Sequence, residues 1–318
     1  MRKKDKWFKV ALCCLLLASG MLIGCSSGTS ETREITAVNN NMESPISANS
    51  GDSSSIVDDS GATMDDSKID ADITIDEQVL IDQNNIIITA KEYVSDSIWG
   101  DGVKVLLENN SEKDVAVSCN ALIVNDYMIT DLFVSEIAAG KKANDTIYLS
   151  SSELEAAGID TVGKIEIYFH IYDPSSYETI LNSDCVTIQT SEYVNMDITP
   201  NDVGTELYNE GGIRIVGKTV DENSFWGTAV LLYCENESGG NVGISVDDMS
   251  VNGFMLNPFF STTVYDGKKS IEDITIFSSD LEENGIESIE EVELKFHIYD
   301  ADTYNTIKDT DPIVFSVH

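Results

Sequence analysis

Lys164-Ile165-Glu166-Ile167-Tyr168-Phe169-His170-Ile171-Tyr172-Asp173 returns 127 residues later as Glu291-Val292-Glu293-Leu294-Lys295-Phe296-His297-Ile298-Tyr299-Asp300. In each copy the apolar set (Ile165, Ile167, Phe169, Ile171; then Val292, Leu294, Phe296, Ile298) alternates with polar or amphipathic residues. A side-chain period of two with one apolar face predicts a half-buried β-strand. Its recurrence predicts that whatever fold one copy adopts, the other adopts too.

The same offset extends outward without a gap, aligning residues 80–191 with 207–318 at about a third identical positions. Trp99-Gly100 recurs as Trp226-Gly227, Glu108-Asn109 as Glu235-Asn236, and Gly140-Lys141-Lys142 as Gly267-Lys268-Lys269. Tyr177, Thr179 and Ile180 recur as Tyr304, Thr306 and Ile307. Each copy has the size of an independent domain. The reading places the first repeat at 79–191, a linker with Pro200 and Gly204 at 192–206, and the second repeat at 207–318.

Other signals within the repeat agree. Val115, Val117 and Cys119 alternate, which turns that cysteine inward. Val251-Asn252-Gly253-Phe254 predicts a hairpin, since Asn-Gly supplies the positive φ angles of a type I′ turn, and Asn125-Asp126 is its counterpart. Ser152 with Glu155, and Ser279 with Glu282, have capping-box spacing, and Gly158 and Gly285 stop the short helical turn they open. Seven strands per copy are expected, near 86–92, 102–109, 114–121, 127–134, 145–150, 164–173 and 185–190. Short strands, turns every 8–12 residues and one small helix predict an all-β protein of two tandem immunoglobulin-like antiparallel β-sandwiches. The Cys…Trp…Cys spacing of antibody domains is missing. Trp99 and Trp226 are expected to close one end of each core.

The repeat resembles an immunoglobulin-like domain without assigned activity found in lipoproteins and surface proteins of Gram-positive bacteria. Trp-Gly, Gly-Lys-Lys, Ser-Ser-Glu/Asp-Leu-Glu with Gly-Ile, and Phe-His-Ile-Tyr-Asp carry the likeness, which covers both repeats. It implies fold and location, and brings no catalytic residues.

The N-terminus predicts an address. Arg2, Lys3, Lys4, Lys6 and Lys9 precede an apolar stretch, Val10 to Ile23, that is short for a membrane span. Leu22-Ile23-Gly24-Cys25 looks like a bacterial lipobox. That resemblance implies a signal peptide at 1–24, diacylglycerol on the Cys25 sulfur, and a place on the extracellular face of the cell membrane. Two acyl chains anchor stably where one does not. Residues 25–78, rich in Ser, Asn, Asp and Gly, are expected to form a disordered acidic tether of about 40 Å.

The chain holds 19 basic and 56 acidic residues; losing residues 1–24 leaves 14 and 55, a net charge of −41. Such a field excludes nucleic acid, whose binding needs Lys and Arg to displace counterions. Beyond Cys25 the remaining cysteines are Cys119, Cys185 and Cys234, at non-matching repeat positions, and are read as small buried hydrophobes without a disulfide framework.

Catalysis finds no motif: no Gly-x-Ser-x-Gly elbow, no phosphate-cradling loop and no His-Glu-x-x-His occurs. His170 and Asp173 fall on opposite strand faces, and one histidine per Phe-His-Ile-Tyr-Asp copy falls short of a zinc site. No cofactor is expected, apart from a weak calcium candidate at Asp300, Asp302, Asp309 and Asp311, whose oxygens suit that ion. The candidate ligand surface is the outward stripe Tyr168, His170, Tyr172 with Lys295, His297, Tyr299, suited to stacking on a sugar or anchoring a peptide. The functional expectation is a non-enzymatic cell-surface binding or adhesion module for a protein or glycan. The alternative is a structural spacer or envelope-assembly component. An exposed apolar patch favours the first, and a polar surface with a rigid joint favours the second.

Overall fold

The computed structural model describes residues 32–37, 73–96, 100–130, 132–224 and 227–318. The signal segment, Cys25, Trp99 and Trp226 lie outside these residues. The fold is all-β and sandwich-like, as expected. In the first repeat the strands are β2 (Gln78–Gln83), β3 (Ile86–Asp96), β4 (Gly100–Asn109), β5 (Val115–Val124), β6 (Tyr127–Ile129), β7 (Val134–Ile137), β8 (Lys142–Tyr148), β9 (Lys164–Tyr172), β10 (Thr179–Asn182) and β11 (Val186–Gln189). The second repeat matches them with β12 (Thr205–Glu210), β13 (Ile213–Ser224), β14 (Gly227–Asn236), β15 (Val242–Val251), β16 (Phe254–Leu256), β17 (Ser261–Val264), β18 (Lys268–Phe277), β19 (Glu291–Asp300), β20 (Thr306–Asp309) and β21 (Ile313–Val317). Ahead of both lies β1 (Thr32–Ala37).

In the first repeat β2, β3, β4 and β8 form one antiparallel sheet. The facing sheet pairs β9 with β5, β10 and β11, and β5 also with β6 and β7. The expected run 127–134 is therefore two short strands around a break. Edge strands β2 and β10 add to the seven predicted, because neither shows clean alternation. β9 buries every second residue, with Ile165, Ile167, Phe169 and Ile171 all inaccessible.

The turns explain several polar residues. Asn125 and Asp126 have φ of 47° and 70°, and Asn252 and Gly253 have 50° and 82°. Each asparagine also stitches its hairpin to the loop before the long strand: Asn125 Oδ1 accepts from the Gly163 and Lys164 amides, and Asn252 Oδ1 from Glu290 and Glu291. Buried Asn109 donates to the Lys113 and Ile137 carbonyls, and Asn236 repeats this with Gly240 and Val264. The short helices α1 (Ser151–Ala157) and α2 (Ser278–Glu283) occupy the predicted places. The N-cap residues are Ser150 and Phe277, ahead of the expected Ser152 and Ser279, and neither makes a side-chain cap bond; the Ser152 side chain lies outside the described residues. Gly158 ends α1 at φ 74°.

The expectation of a structureless tether from 25 to 78 fails at two points. Ile75 bridges to Thr190 in the first repeat. Thr32–Ala37 forms β1, which pairs with β13 and then β21 of the second repeat. One buried isoleucine, Ile35, seats this strand in the second core. Composition concealed it, since its flanks are as polar as any linker. Among the described residues no helix is long and apolar enough to cross a membrane.

Candidate binding surfaces

The two repeats meet along a specific edge. β6 of the first repeat runs parallel to β18 of the second, with Tyr127 opposite Lys269 and Met128 opposite Ser270. The Lys269 amide donates to the Asp126 carbonyl at 3.0 Å. Tyr127 is buried, lies edge-on to buried Tyr233 at 6.4 Å, and its hydroxyl accepts from the Asn201 amide at 2.9 Å. The Tyr265 amide donates to the Met128 sulfur, and Tyr168 meets Tyr265 edge-to-face at 5.0 Å.

Charges interlock beside these rings. Lys268 Nζ sits 2.8 Å from Asp126 and 2.6 Å from Glu166, while Lys164 reaches the same two carboxylates at 2.7 and 3.2 Å. All four side chains are largely covered. The lysines hold the Asp126 carboxyl below its ordinary range against the opposing effect of burial, and the carboxylates hold both ammonium groups above theirs. The linker is tacked down as well: Asn201 donates to the Ala156 carbonyl, and Lys218 donates to the Asn201 carbonyl.

A cleft of about 440 Å³ opens beside this joint, lined by Met128, Ile129, Glu153, Thr262, Tyr265 and Glu272 among others. Burial raises the Glu272 carboxyl to about 7, although Thr262 donates to it at 2.7 Å. Burial also raises Glu153, whose carboxylate accepts from the Thr130 amide. The charges of Glu153 and Asp273 add to Glu272's difficulty in ionising, and that of Asp273 to Glu153's.

The predicted aromatic stripe divides. Tyr168 is consumed by the joint, where no sequence pattern could place it. His170, Tyr172 and Tyr177 instead form a stack with ring separations of 5.1 and 6.0 Å, and His297, Tyr299 and Tyr304 repeat it at 5.4 and 6.1 Å. Each histidine is oriented from across the strand, His170 by Asn182 at 2.7 Å and His297 by Asp309 at 2.5 Å. Tyr299 lies so close over Gly243 that a Cβ there would strike its ring. The inner rings are thus half-buried and self-stacked, while Tyr177 and Tyr304 are about two-thirds exposed. Lys295 pairs with Asp248.

Asp300 spends one carboxylate oxygen on the Asp302 and Thr303 amides and the Thr303 hydroxyl, tightening its turn. Asp309 faces His297. Among the described residues no group of three or more His, Cys, Asp or Glu is arranged to hold a metal ion. Cys119 is half-buried and Cys234 buried, but Cys185 is exposed, so the reading of all three as core residues is corrected there; none forms a disulfide.

The surface that sequence reasoning missed is β16. By the repeat offset Phe254 and Met255 stand where Tyr127 and Met128 stand in the first repeat. Tyr127 is 2% exposed, but Phe254 is 46% and Met255 66% exposed. Phe259 is exposed nearby in sequence. β16 pairs with β15, and no pairing of its other edge occurs among the described residues.

These features define a tandem β-sandwich protein with one joint formed and its matching edge open. No family model matches the chain, and no curated protein matches it. Among solved structures it is similar to the Salmonella enterica SafA pilin in complex with the SafB chaperone, at 12% identity and a TM-score of 0.20, over 67% of this chain and 88% of that one. It is also similar to a protein of unknown function from Porphyromonas gingivalis, at 10% identity and a TM-score of 0.18, over 66% and 88%.

Proposed function

We propose that this chain is a non-enzymatic, lipid-anchored protein of the extracellular membrane face that binds a protein partner through the open β16 edge of its second repeat. The observation that carries this reading is the contrast between Tyr127-Met128, buried and half-buried against a neighbouring sandwich, and Phe254-Met255, exposed at the same repeat position. An apolar pair on an unpaired strand edge is costly to leave in water and is a template for strand pairing. Glu291 and Glu293 stand in the repeat where Lys164 and Glu166 flank the joint, so a partner offering a lysine beside its own strand edge suits this surface. Anchorage through Cys25 rests on Leu22-Ile23-Gly24-Cys25.

A spacer role is the second reading, and the interlocked joint of Lys268, Asp126 and Glu166 favours it. The two readings separate in one experiment. Cells displaying the full chain are compared with cells displaying Phe254→Glu/Met255→Glu, and a photoreactive residue at Met255 reports contacts. Loss of adhesion and of cross-links in the double variant, with Tyr177→Ala/Tyr304→Ala unaffected, supports the binding edge. Equal behaviour of all three leaves the spacer.

A further inference from the structure

The two repeats begin differently. In the first, Ile75 bridges to Thr190, the Ser191 amide donates to the Thr74 carbonyl, and the same chain enters β2 three residues later. The repeat offset puts the equivalent of Ile75 at Asp202, within the stretch Asp197-Ile198-Thr199-Pro200-Asn201-Asp202. That stretch is spent elsewhere. Asn201 is drawn to Tyr127 and Ala156, Asp202 pairs with Arg214 at 2.6 Å, Ile198 is exposed, and Pro200 has no amide to give a ladder.

The vacant lane in the second repeat is filled from far upstream. Ile35, Thr36 and Ala37 pair with Val317, Ser316 and Phe315; Thr32, Arg33 and Glu34 pair with Asp221, Val220 and Thr219. Ile35 thereby takes toward Val317 the place that Ile75 takes toward Thr190. The register on β13 puts β1 in line with β12, whose Thr205 opposes Gly217. Glu34 and His318 exchange backbone hydrogen bonds at 3.1 and 2.9 Å, and Thr205 Oγ1 donates to the Ile35 carbonyl at 2.6 Å. Arg33 donates to Glu222 and to the Val317 carbonyl. The seat is shaped for its occupant: a methyl on Gly217 would lie 3.2 Å from Ile35 Cδ1 and from Leu207 Cδ1, and the first repeat has Ala90 at that position.

We propose that the second repeat carries a strand-acceptor site, that Thr32–Ala37 is its resident ligand, and that the site takes the same segment from a second copy when its own is displaced. The ligand is an extended segment with one buried aliphatic side chain and a cation two residues before it. β1 is six residues long and buries one apolar side chain, so it is held chiefly by main-chain bonds, as an added strand is. Thirty-five residues separate Ala37 from Ile73. A tether of such length holds the resident at an effective concentration on the order of millimolar, which favours the segment's own chain in dilute solution and exchange at high surface density.

The test uses two full-length variants. Ile35→Asp removes the ligand and leaves the seat; Gly217→Val blocks the seat and leaves the ligand. The expected result is a heterodimer by sedimentation when the two are mixed, with each alone monomeric. In hydrogen exchange, the amide of His318, which donates to the Glu34 carbonyl, loses protection in Ile35→Asp and regains it on adding a synthetic peptide of residues 30–39, while that of Val317, which donates to Glu290, does not change. Unchanged exchange in Ile35→Asp overturns the acceptor site, and so does failure of the peptide to bind that variant. Restored protection without a heterodimer overturns exchange between copies. Should Gly217→Val fail to fold, unlabelled Ile35→Asp mixed with labelled wild type decides: transfer of the wild-type segment supports exchange, and its absence refutes it.

Discussion

Tyr127-Met128 and Phe254-Met255 occupy one position of one repeated unit and meet opposite fates. The first pair closes a joint between sandwiches; the second faces solvent. The hairpins that present them are built alike, down to the asparagine whose side chain ties each to the following loop. The repeat therefore specifies a sandwich with an adhesive edge, and the neighbour decides whether that edge is satisfied. Tyr233, Tyr265 and Lys268 supply the complement, and their counterparts in the first repeat are Leu106, Ala138 and Lys141.

The sharpest way to break this contrast is to truncate both edges. Tyr127→Ala is expected to cost about 3 kcal/mol in urea unfolding, the usual range for removing a buried aromatic, while Phe254→Ala costs under about 1 kcal/mol because half its surface is already wet. Equal losses would mean that the joint contributes nothing to stability.

A second pair of substitutions should behave identically and so marks what the repeats share. Asn109→Ala and Asn236→Ala each remove two donated bonds, one of them buried, and leave the Ile137 or Val264 carbonyl without that donor. Both are expected to cost roughly 2 kcal/mol. A difference above about 1 kcal/mol would show that the joint reaches into the cores.

Charge offers the third comparison. Lys268→Ala strips a covered ammonium from two carboxylates and leaves Lys164 to serve both, at an expected cost of about 1–2 kcal/mol. Lys141→Ala, at the matching position, removes an exposed residue and should change the melting temperature by less than about 1 °C. High salt is expected to leave the Lys268 effect largely intact, since covered pairs are screened less.

The smallest effect concerns pH. Glu272 holds its proton to about 7 in the folded protein, against an ordinary value near 4.5. The folded state thus retains a proton that the unfolded chain loses first. Stability from this group is full below pH 4.5, falls as pH rises to about 7, and is flat above. Glu272→Gln is expected to flatten that slope and to stabilise the protein by about 1 kcal/mol at pH 8, less than the bare shift implies because the cleft admits water. A thermal-melt series from pH 5 to 8 that keeps its slope in the variant would place the titration elsewhere.

What the sequence disclosed depended on how strongly each element carries its own pattern. β9 and β19 were legible because alternation runs through their whole length, and the turns because Asn-Gly and Asn-Asp need positive φ. The edge strands β2, β10 and their counterparts were not, because they bury too few residues to alternate. The open β16 edge needed the structure, since burial of Tyr127 follows from a neighbour 142 residues on in the chain, Lys269, and exposure of Phe254 from the lack of a counterpart among the described residues. The stacks around His170 and His297 were partly legible, but Tyr168 belongs to the joint for the same reason. β1 left one faint trace: Ile35-Thr36 echoes Ile73-Thr74 and Ile198-Thr199, and the last of these runs into Pro200.

The pairing of β1 with β21 also sets an order of events during synthesis. The first repeat holds all its own strands and can close when its last residues emerge, as early domains generally do. The second cannot, because the piece that completes it was made first and must wait for Ile313–Val317. Contacts of such long sequence separation form slowly. β1 can meet β13 as soon as that strand emerges, but the nascent second sandwich keeps an uncovered seam until β21 arrives to take the other half of β1.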